Sequence, residues 1–427
     1  MAETNVKIRS FKLFLLKGAL LFSDQTPMKF FNLVKRSLLL QVVIAIVLGS
    51  LLGNHLPKEI SRIFATFNGI FGNFLEFIIP LIILGLIVPA IGNIGKEAGK
   101  LLLITTLIAY GSTLFSGLLS YGISVSTFPH LLAGERLTEL SDASKNLQPY
   151  FEIEMPPLFD VMSGLILAFL LGIALSKFDF NALKNVFDEF QKIIMWIIEK
   201  LIVPFLPLFI FGIFLNMTYN GQVFLVLKTF VTIIGVIFAM HIGLLIIQYS
   251  IAGGIAKRNP FSMLKTMLPA YFTALGTQSS AATIPVTLEQ AIKNKVDPKI
   301  AGFTIPLCAT IHLAGSTLKI VACAVALMLL EGHQIQFLQF FGFICMLGIA
   351  MVAAPGVPGG AIMAALAVLS SALGFTTEEQ SLMIALYIAM DSFGTACNVM
   401  GDGAIAVVID KINTRQERKK ALAKAAA

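Results

Sequence analysis

Gly276-Thr-Gln-Ser-Ser-Ala-Ala-Thr-Ile-Pro285 and Ala354-Pro-Gly-Val-Pro-Gly-Gly-Ala361 each interrupt an otherwise apolar run, 260–292 and 337–374. Lipid offers backbone N–H and C=O groups no partner, so non-helical chain survives at membrane depth only where protein or a water-filled cavity surrounds it. Two half-length helices meeting at a polar or glycine-rich tip meet that condition; an ordinary pair of Gly/Pro-kinked helices is the plainer alternative. Flanking charge favours hairpins. Lys257 and Arg258 precede the first run and Lys293 and Lys295 follow it, which places both its ends on the cytoplasmic side. The second run is bounded by Glu331 and by Glu378 with Glu379, and should dip in from the other face. Each is followed by one long helix, at 300–330 and 379–411. The pattern predicts an inverted repeat with a binding site where the tips meet.

The rest of the chain agrees with a membrane setting. It is 57% hydrophobic and 13% charged, whereas soluble domains run near half apolar and a quarter charged. Apolar segments at roughly 37–56, 63–94, 100–126, 157–177, 193–218 and 222–254 are each long enough to span a bilayer core about 30 Å thick. The expected fold is an all-α integral membrane protein of eight transmembrane helices and two re-entrant hairpins. Residues 1–34 read as a basic amphipathic segment at the membrane surface, 127–156 as the longest loop, 178–191 as a short charged connector and 413–427 as a basic tail. No short apolar core with a small-residue cleavage site opens the chain, so a cleaved signal is not expected.

The net charge of +7 comes from Lys and Arg placed between apolar segments and in the tail. That is a topology signal with both termini cytoplasmic, not a nucleic-acid surface. Cys308, Cys323, Cys345 and Cys397 form no close-spaced pair and the five histidines are scattered, so a metal-dependent enzyme has no support.

Candidate chemistry lies in the two long helices. Asp391, Thr395, Asn398 and Asp402 follow spacings of four, three and four, which puts them on one helical face. A carboxylate at the bilayer centre costs about 2.5–3.5 kcal/mol on the insertion scale, so these two should face a cavity, a partner or an ion; a purely structural polar stripe is the alternative. In the preceding helix, Gly315 beside Ser316 suggests an unwound point whose free carbonyls can hold a cation. His312 can titrate near neutrality or simply hydrogen-bond within the bundle. Lys319 reads either as a fixed charge replacing a bound ion, paired with Asp402, or as a snorkelling side chain. Cys308 and Thr310 join His312, Lys319, Asn398 and Asp402 as the candidate cation-coupling set, with Asn398 and Asp402 the candidate sodium ligands. At the first tip Ser279, Ser280 and Thr283 offer hydroxyls beside a helix N-terminus, which favours a substrate carboxylate. Glu76 and Asp410 read as interfacial charges without a transport role.

These residues together resemble the dicarboxylate/amino acid:cation symporter family. Four motifs in order carry the resemblance: Ser279-Ser-Ala-Ala-Thr-Ile-Pro285, Ile305-Pro-Leu-Cys-Ala-Thr-Ile-His-Leu-Ala-Gly315, Gly356-Val-Pro-Gly-Gly-Ala361, and Asp391 through Asp402. The resemblance implies a homotrimer in the cytoplasmic membrane, with a scaffold of 35–98 and 128–221. A transport part of 99–127 and 222–412 would slide like an elevator, the second hairpin acting as outer gate. It implies that Asp391 holds a substrate ammonium, that Thr395 and Asn398 neighbour the substrate with Asn398 taking its α-carboxylate, and that Ser279, Ser280, Ser316, Val357, Gly359 and Gly394 complete the pocket. Asp402 becomes a cation ligand.

The departures shape the expected function. Acidic-substrate members carry an arginine where this chain has Gly394, and many have another where it has Gln278. Without either, an acidic substrate would leave a carboxylate unpaired, which favours a small neutral amino acid, as in the serine/threonine branch that Asp391-Ser and Ala314 resemble. The alternative is an acidic amino acid or dicarboxylate:proton symporter, and an ion channel is the alternative of another class. The sodium motif Asn-Met-Asp-Gly-Thr reads His312-Leu-Ala-Gly-Ser316 here, so one sodium-binding carboxylate is missing; Ile108 and Ala109 stand where hydroxyls would serve that same site. Coupling to sodium or proton stays open, the expected cofactor is none beyond Na+, and the expected partners are an amino acid, membrane lipids and like subunits.

Overall fold

The structure is a computed structural model and describes residues 38–94, 100–132, 147–159, 161–178, 180–221, 223–354, 356 and 358–426. The amphipathic segment 1–34, much of the loop 127–156 and Val357 therefore lie outside, or partly outside, the described residues. All regular structure among the described residues is helical: α1 Leu38–Leu52, α2 Lys58–Ile94, α3 Lys100–Leu131, α4 Val161–Lys177, α5 Asn181–Ile197, α6 Val203–Tyr219, α7 Val223–Ala256, α8 Pro260–Thr277, α9 Ser280–Lys293, α10 Pro298–Ile311, α11 Ala314–Leu330, α12 Phe337–Ala353, α13 Gly360–Leu373, α14 Thr377–Ala389 and α15 Asp391–Ala426. Six helical stretches among them are long and apolar enough to cross a membrane.

The segment expected as a short connector at 178–191 is instead helical. It continues as α5 through one π-helical turn, Ile198–Ile202, into α6, making a single run of 39 residues. Its charges lie on an amphipathic face, which a reading for apolar spans passes over. The tail beyond 413 continues α15.

Two groups of helices pack largely within themselves. α1 lies on α6 and α2 on α4; Gly49 brings α1 against the backbone of Phe211, where an added Cβ would sit 2.7 Å from the Phe211 carbonyl. α3 and α7 pack with α8 to α15, above all α3 on α11 and α8 on α15. Pro298–Leu330 and Asp391–Arg415 are the most enclosed spanning stretches, 94% and 89% buried over an apolar 18-residue part of each, so they form the core that carries the polar stripe.

Both interrupted runs are helical hairpins. Asn259 caps α8, accepting from the Phe261 and Ser262 N–H groups, and Pro260 presets its first turn. The chain reverses at Gln278, in the left-handed conformation at φ 54°, and Ser279 caps α9 by accepting from Ala282 N–H. α12 and α13 pack on each other in the same way, with Gly359 at φ 73° opening α13. The two long helices expected after the hairpins are also broken. The first unwinds at His312 and Leu313, three residues before the expected point, and Gly315 falls inside the first turn of α11. The second breaks at Met390, so Asp391 begins α15 rather than lying within a continuous helix.

Candidate functional site

The two tips touch. Ser279 Oγ donates to the Gly356 carbonyl at 2.7 Å, and Gln278 Nε2 donates to Ser392 Oγ at 3.0 Å, tying the first tip to α15. From the second tip, Gly359 N–H donates to Asp391 Oδ2 at 2.8 Å. Asp391 sits at the N-terminus of α15, where the helix dipole favours a carboxylate.

Its other oxygen overturns one expectation. Lys319 pairs with Asp391, not with Asp402: Nζ lies 3.0 Å from Asp391 Oδ1, and both side chains are closed to solvent. The ammonium also sits over the Tyr387 ring, 3.3 Å from its centroid, a cation–π arrangement. The unwinding at Met390 exposes carbonyls that help hold it, those of Tyr387 and Met390 at 3.5 Å. Gly394 makes the room: a Cβ there would lie 2.8 Å from Nζ. The snorkelling reading falls as well, since Lys319 is fully buried.

Asn398 serves the break in the preceding helix. Its Oδ1 accepts from the Gly315 and Ser316 N–H groups at 2.8 and 3.3 Å, capping α11 from a neighbouring helix. Its Nδ2 donates to Ser316 Oγ, which also accepts from Tyr387 OH. Asn398 thus fills its acceptor with the break. Thr395 is buried on the same face.

Asp402 pairs instead with His312, Nδ1 to Oδ1 at 2.9 Å, both buried. A carboxylate accepts, so Nδ1 donates, and the ring's Nε2 shares a hydrogen bond of 3.0 Å with Ser112 Oγ. Gln248 Nε2 donates to that same Ser112 oxygen at 3.1 Å. A cavity of about 250 Å³ lies beyond, lined by Ser112, Gln248, Ile108 and Gly401 among others. Asp402 Oδ2 is buried without a hydrogen-bond partner among the described residues, and an orphaned carboxylate oxygen is a fitting ligand for a hard cation. Cys308 is buried nearby, its carbonyl accepting from His312 N–H. Thr310 is not brought to this place: it is exposed and its hydroxyl donates to Leu307 O. Ala109 is buried.

At the first tip Thr283 is fully buried and its hydroxyl donates to Ser279 O at 2.8 Å, so it braces the tip. Ser280 is buried as the first residue of α9. Glu76 accepts from the Thr377 hydroxyl, linking α2 to α14.

Several partners escaped the sequence reading. On α3, Ser116 Oγ donates to Ala314 O and Ser120 Oγ to Leu318 O, each at 2.6 Å. With Ser112 they form a ladder at i, i+4, i+8, a signal present in the sequence. His241 Nε2 donates to Gly315 O at 3.0 Å and Tyr249 OH to Met400 O; no spacing announces those two.

A family model described as the sodium:dicarboxylate symporter family matches residues 38–412. Among curated proteins, the chain is 32% identical over 159 residues to mouse Excitatory amino acid transporter 5, covering 37% of this chain and 28% of that protein. It is 28% identical over 296 residues to Excitatory amino acid transporter 1 of Ambystoma tigrinum, covering 66% of this chain and 53% of that protein. The matches span about a quarter to a half of these relatives' length. Family and relatives alike are transporters, not enzymes. With three-quarters or more of the chain matched, hairpin tips and polar stripe included, this protein belongs to the sodium:dicarboxylate symporter family.

Proposed function

We propose that the protein is a secondary symporter that carries a small amino acid across the cytoplasmic membrane with a cation, in a homotrimer whose α3 and α7–α15 slide against α1, α2 and α4–α6. Both termini are cytoplasmic in this reading, and the second hairpin is the gate. The observation that carries it is the Lys319–Asp391 pair beneath the Gly359 N–H of the second tip, a tip that Ser279 of the first bonds at Gly356.

The same pair bears on the substrate. The expectation of a neutral substrate rested on an uncharged pocket at Gly394, and Lys319 fills that volume with an ammonium. A zwitterion whose ammonium took Asp391 would present its own carboxylate to Lys319, so neither buried charge is stranded at the cost of about 3–5 kcal/mol that an unpaired one carries. An amino acid with a second carboxylate brings one negative charge more than the pair balances, which only uncharged N–H groups would be left to hold. A dicarboxylate without an amine would strand Asp391 instead. Charge balance therefore favours a neutral amino acid. The neutral reading has a second supporting observation, since the uncharged Gln278 is already engaged by Ser392.

Sodium and proton remain the two cations to compare. The free Asp402 oxygen suits the first, and the Asp402–His312–Ser112–Gln248 chain suits the second. The test is uptake of a labelled amino acid panel into proteoliposomes under a sodium gradient, a proton gradient and neither. Gradient-driven accumulation of neutral amino acids is the expected result. Accumulation of acidic ones alone overturns the charge-balance argument; ion conductance without counterflow of labelled solute overturns symport and favours a channel.

A further inference from the structure

Outside the site, Glu331, His333 and Glu379 bring three ligand atoms within 4.8 Å of one another. His333 Nε2 lies 3.4 Å from Glu331 Oε2 and 4.0 Å from Glu379 Oε1. Tetrahedral zinc with bonds of about 2.0–2.1 Å sets its ligand atoms roughly 3.3 Å apart, so the cluster needs only small side-chain rotations to close on an ion.

Local structure holds all three in place. Glu331 ends α11, and Gly332 at φ 77° turns the chain so that His333 N–H reaches the Met328 carbonyl at 2.9 Å. Glu379 is the third residue of α14 in a capping box; its Oε2 accepts from Thr376 N–H at 2.6 Å, which leaves Oε1 toward the cluster. Such outer partners are what fix a metal ligand's orientation. The carboxylates are enclosed, their side chains 12% and 8% exposed, while the imidazole at 58% exposure gives the way in. Among the described residues His333 is the only basic side chain within 4.0 Å of either carboxylate.

The cluster has a meaningful address. Glu331 and His333 stand just before α12, and Glu379 just after α13, so the three join the two roots of the hairpin whose tip holds Asp391. We propose that Glu331, His333 and Glu379 form a binding site for a divalent transition metal of the zinc class, and that the bound ion clasps the roots of the α12–α13 hairpin and restrains its opening. Two carboxylate oxygens, one imidazole nitrogen and a water complete a zinc-like set. Calcium asks for six to eight oxygens and magnesium for near-ideal octahedral geometry, neither of which the cluster provides.

The test uses the purified full-length protein and zinc alone, read first by direct binding and by the shift in melting temperature, neither of which needs transport. Wild type should bind one zinc per chain at this site. His333→Ala and Glu331→Gln should each bind at least tenfold more weakly, whereas Glu378→Gln, an adjacent carboxylate outside the cluster, should bind as wild type does. Absence of binding by wild type, or equal binding by all four proteins, overturns the site. In proteoliposomes zinc should slow wild-type uptake and spare His333→Ala; uptake by zinc-loaded wild type that proceeds at the metal-free rate overturns the clasp while leaving the symporter reading intact.

Discussion

Lys319 of α11 holds Asp391 of α15 across 3.0 Å in a place closed to solvent, and occupies the volume that Gly394 leaves open. Breaking a buried pair from one side strands the other charge, at a cost of about 3–5 kcal/mol, so variants here should act on both stability and transport.

Asp391→Asn is expected to abolish amino acid uptake. It removes the carboxylate that both Lys319 and the Gly359 N–H engage, and with it the counter-charge for a substrate ammonium. Labelled uptake measures it, and unchanged transport would refute the assigned role.

Lys319→Met should lower the kcat/KM for neutral amino acids at least tenfold, because the zwitterion's carboxylate then loses the buried cation that it would meet. The single variant should also lower Tm. Lys319→Met with Asp391→Asn should recover part of that loss, which separates the pair's structural cost from its role in selection.

Gly394→Arg on its own should lose uptake rather than gain acidic preference, since even a Cβ at 394 meets Lys319 Cε at 2.9 Å and Nζ at 2.8 Å. Combined with Lys319→Ala, the arginine has room and a charge to supply, and uptake should return. A functional single variant with undisturbed affinity would show that Lys319 does not stay at Gly394 during transport.

Asp402→Asn should cut cation stimulation of uptake at least tenfold, since it removes the unpartnered Oδ2. His312→Ala leaves that oxygen in place but interrupts the chain to Ser112 and Gln248. If the proton is the coupled ion, the pH dependence of uptake should vanish in His312→Ala; an identical pH profile would eliminate histidine as its carrier. Should Asp402→Asn lower Tm and keep full cation dependence, the carboxylate is only a partner for the imidazole.

The sequence by itself determined that the chain is helical and apolar, that two runs are interrupted, and that Asp391, Thr395, Asn398 and Asp402 share one face. Those features are local: helical periodicity and the backbone demands of Gly, Pro and Ser act within a turn or two. The break in the first long helix was legible to within three residues for the same reason, though Gly315 drew attention away from His312 and Leu313, where the helix does unwind; the break at Met390 was not. Only the tertiary structure decided which charge meets which. Lys319 stands 72 residues from Asp391 on another helix, and its choice of Asp391 over Asp402 depends on how α11 is rotated against α15. That rotation is set by close contacts at Gly315, where a Cβ would lie 2.6 Å from the Gly394 carbonyl, and by Asn398 capping α11 across the gap. Close packing of this kind is a property of the assembled surfaces rather than of either helix alone, so the partners of a buried charge appear only once the helices are in contact.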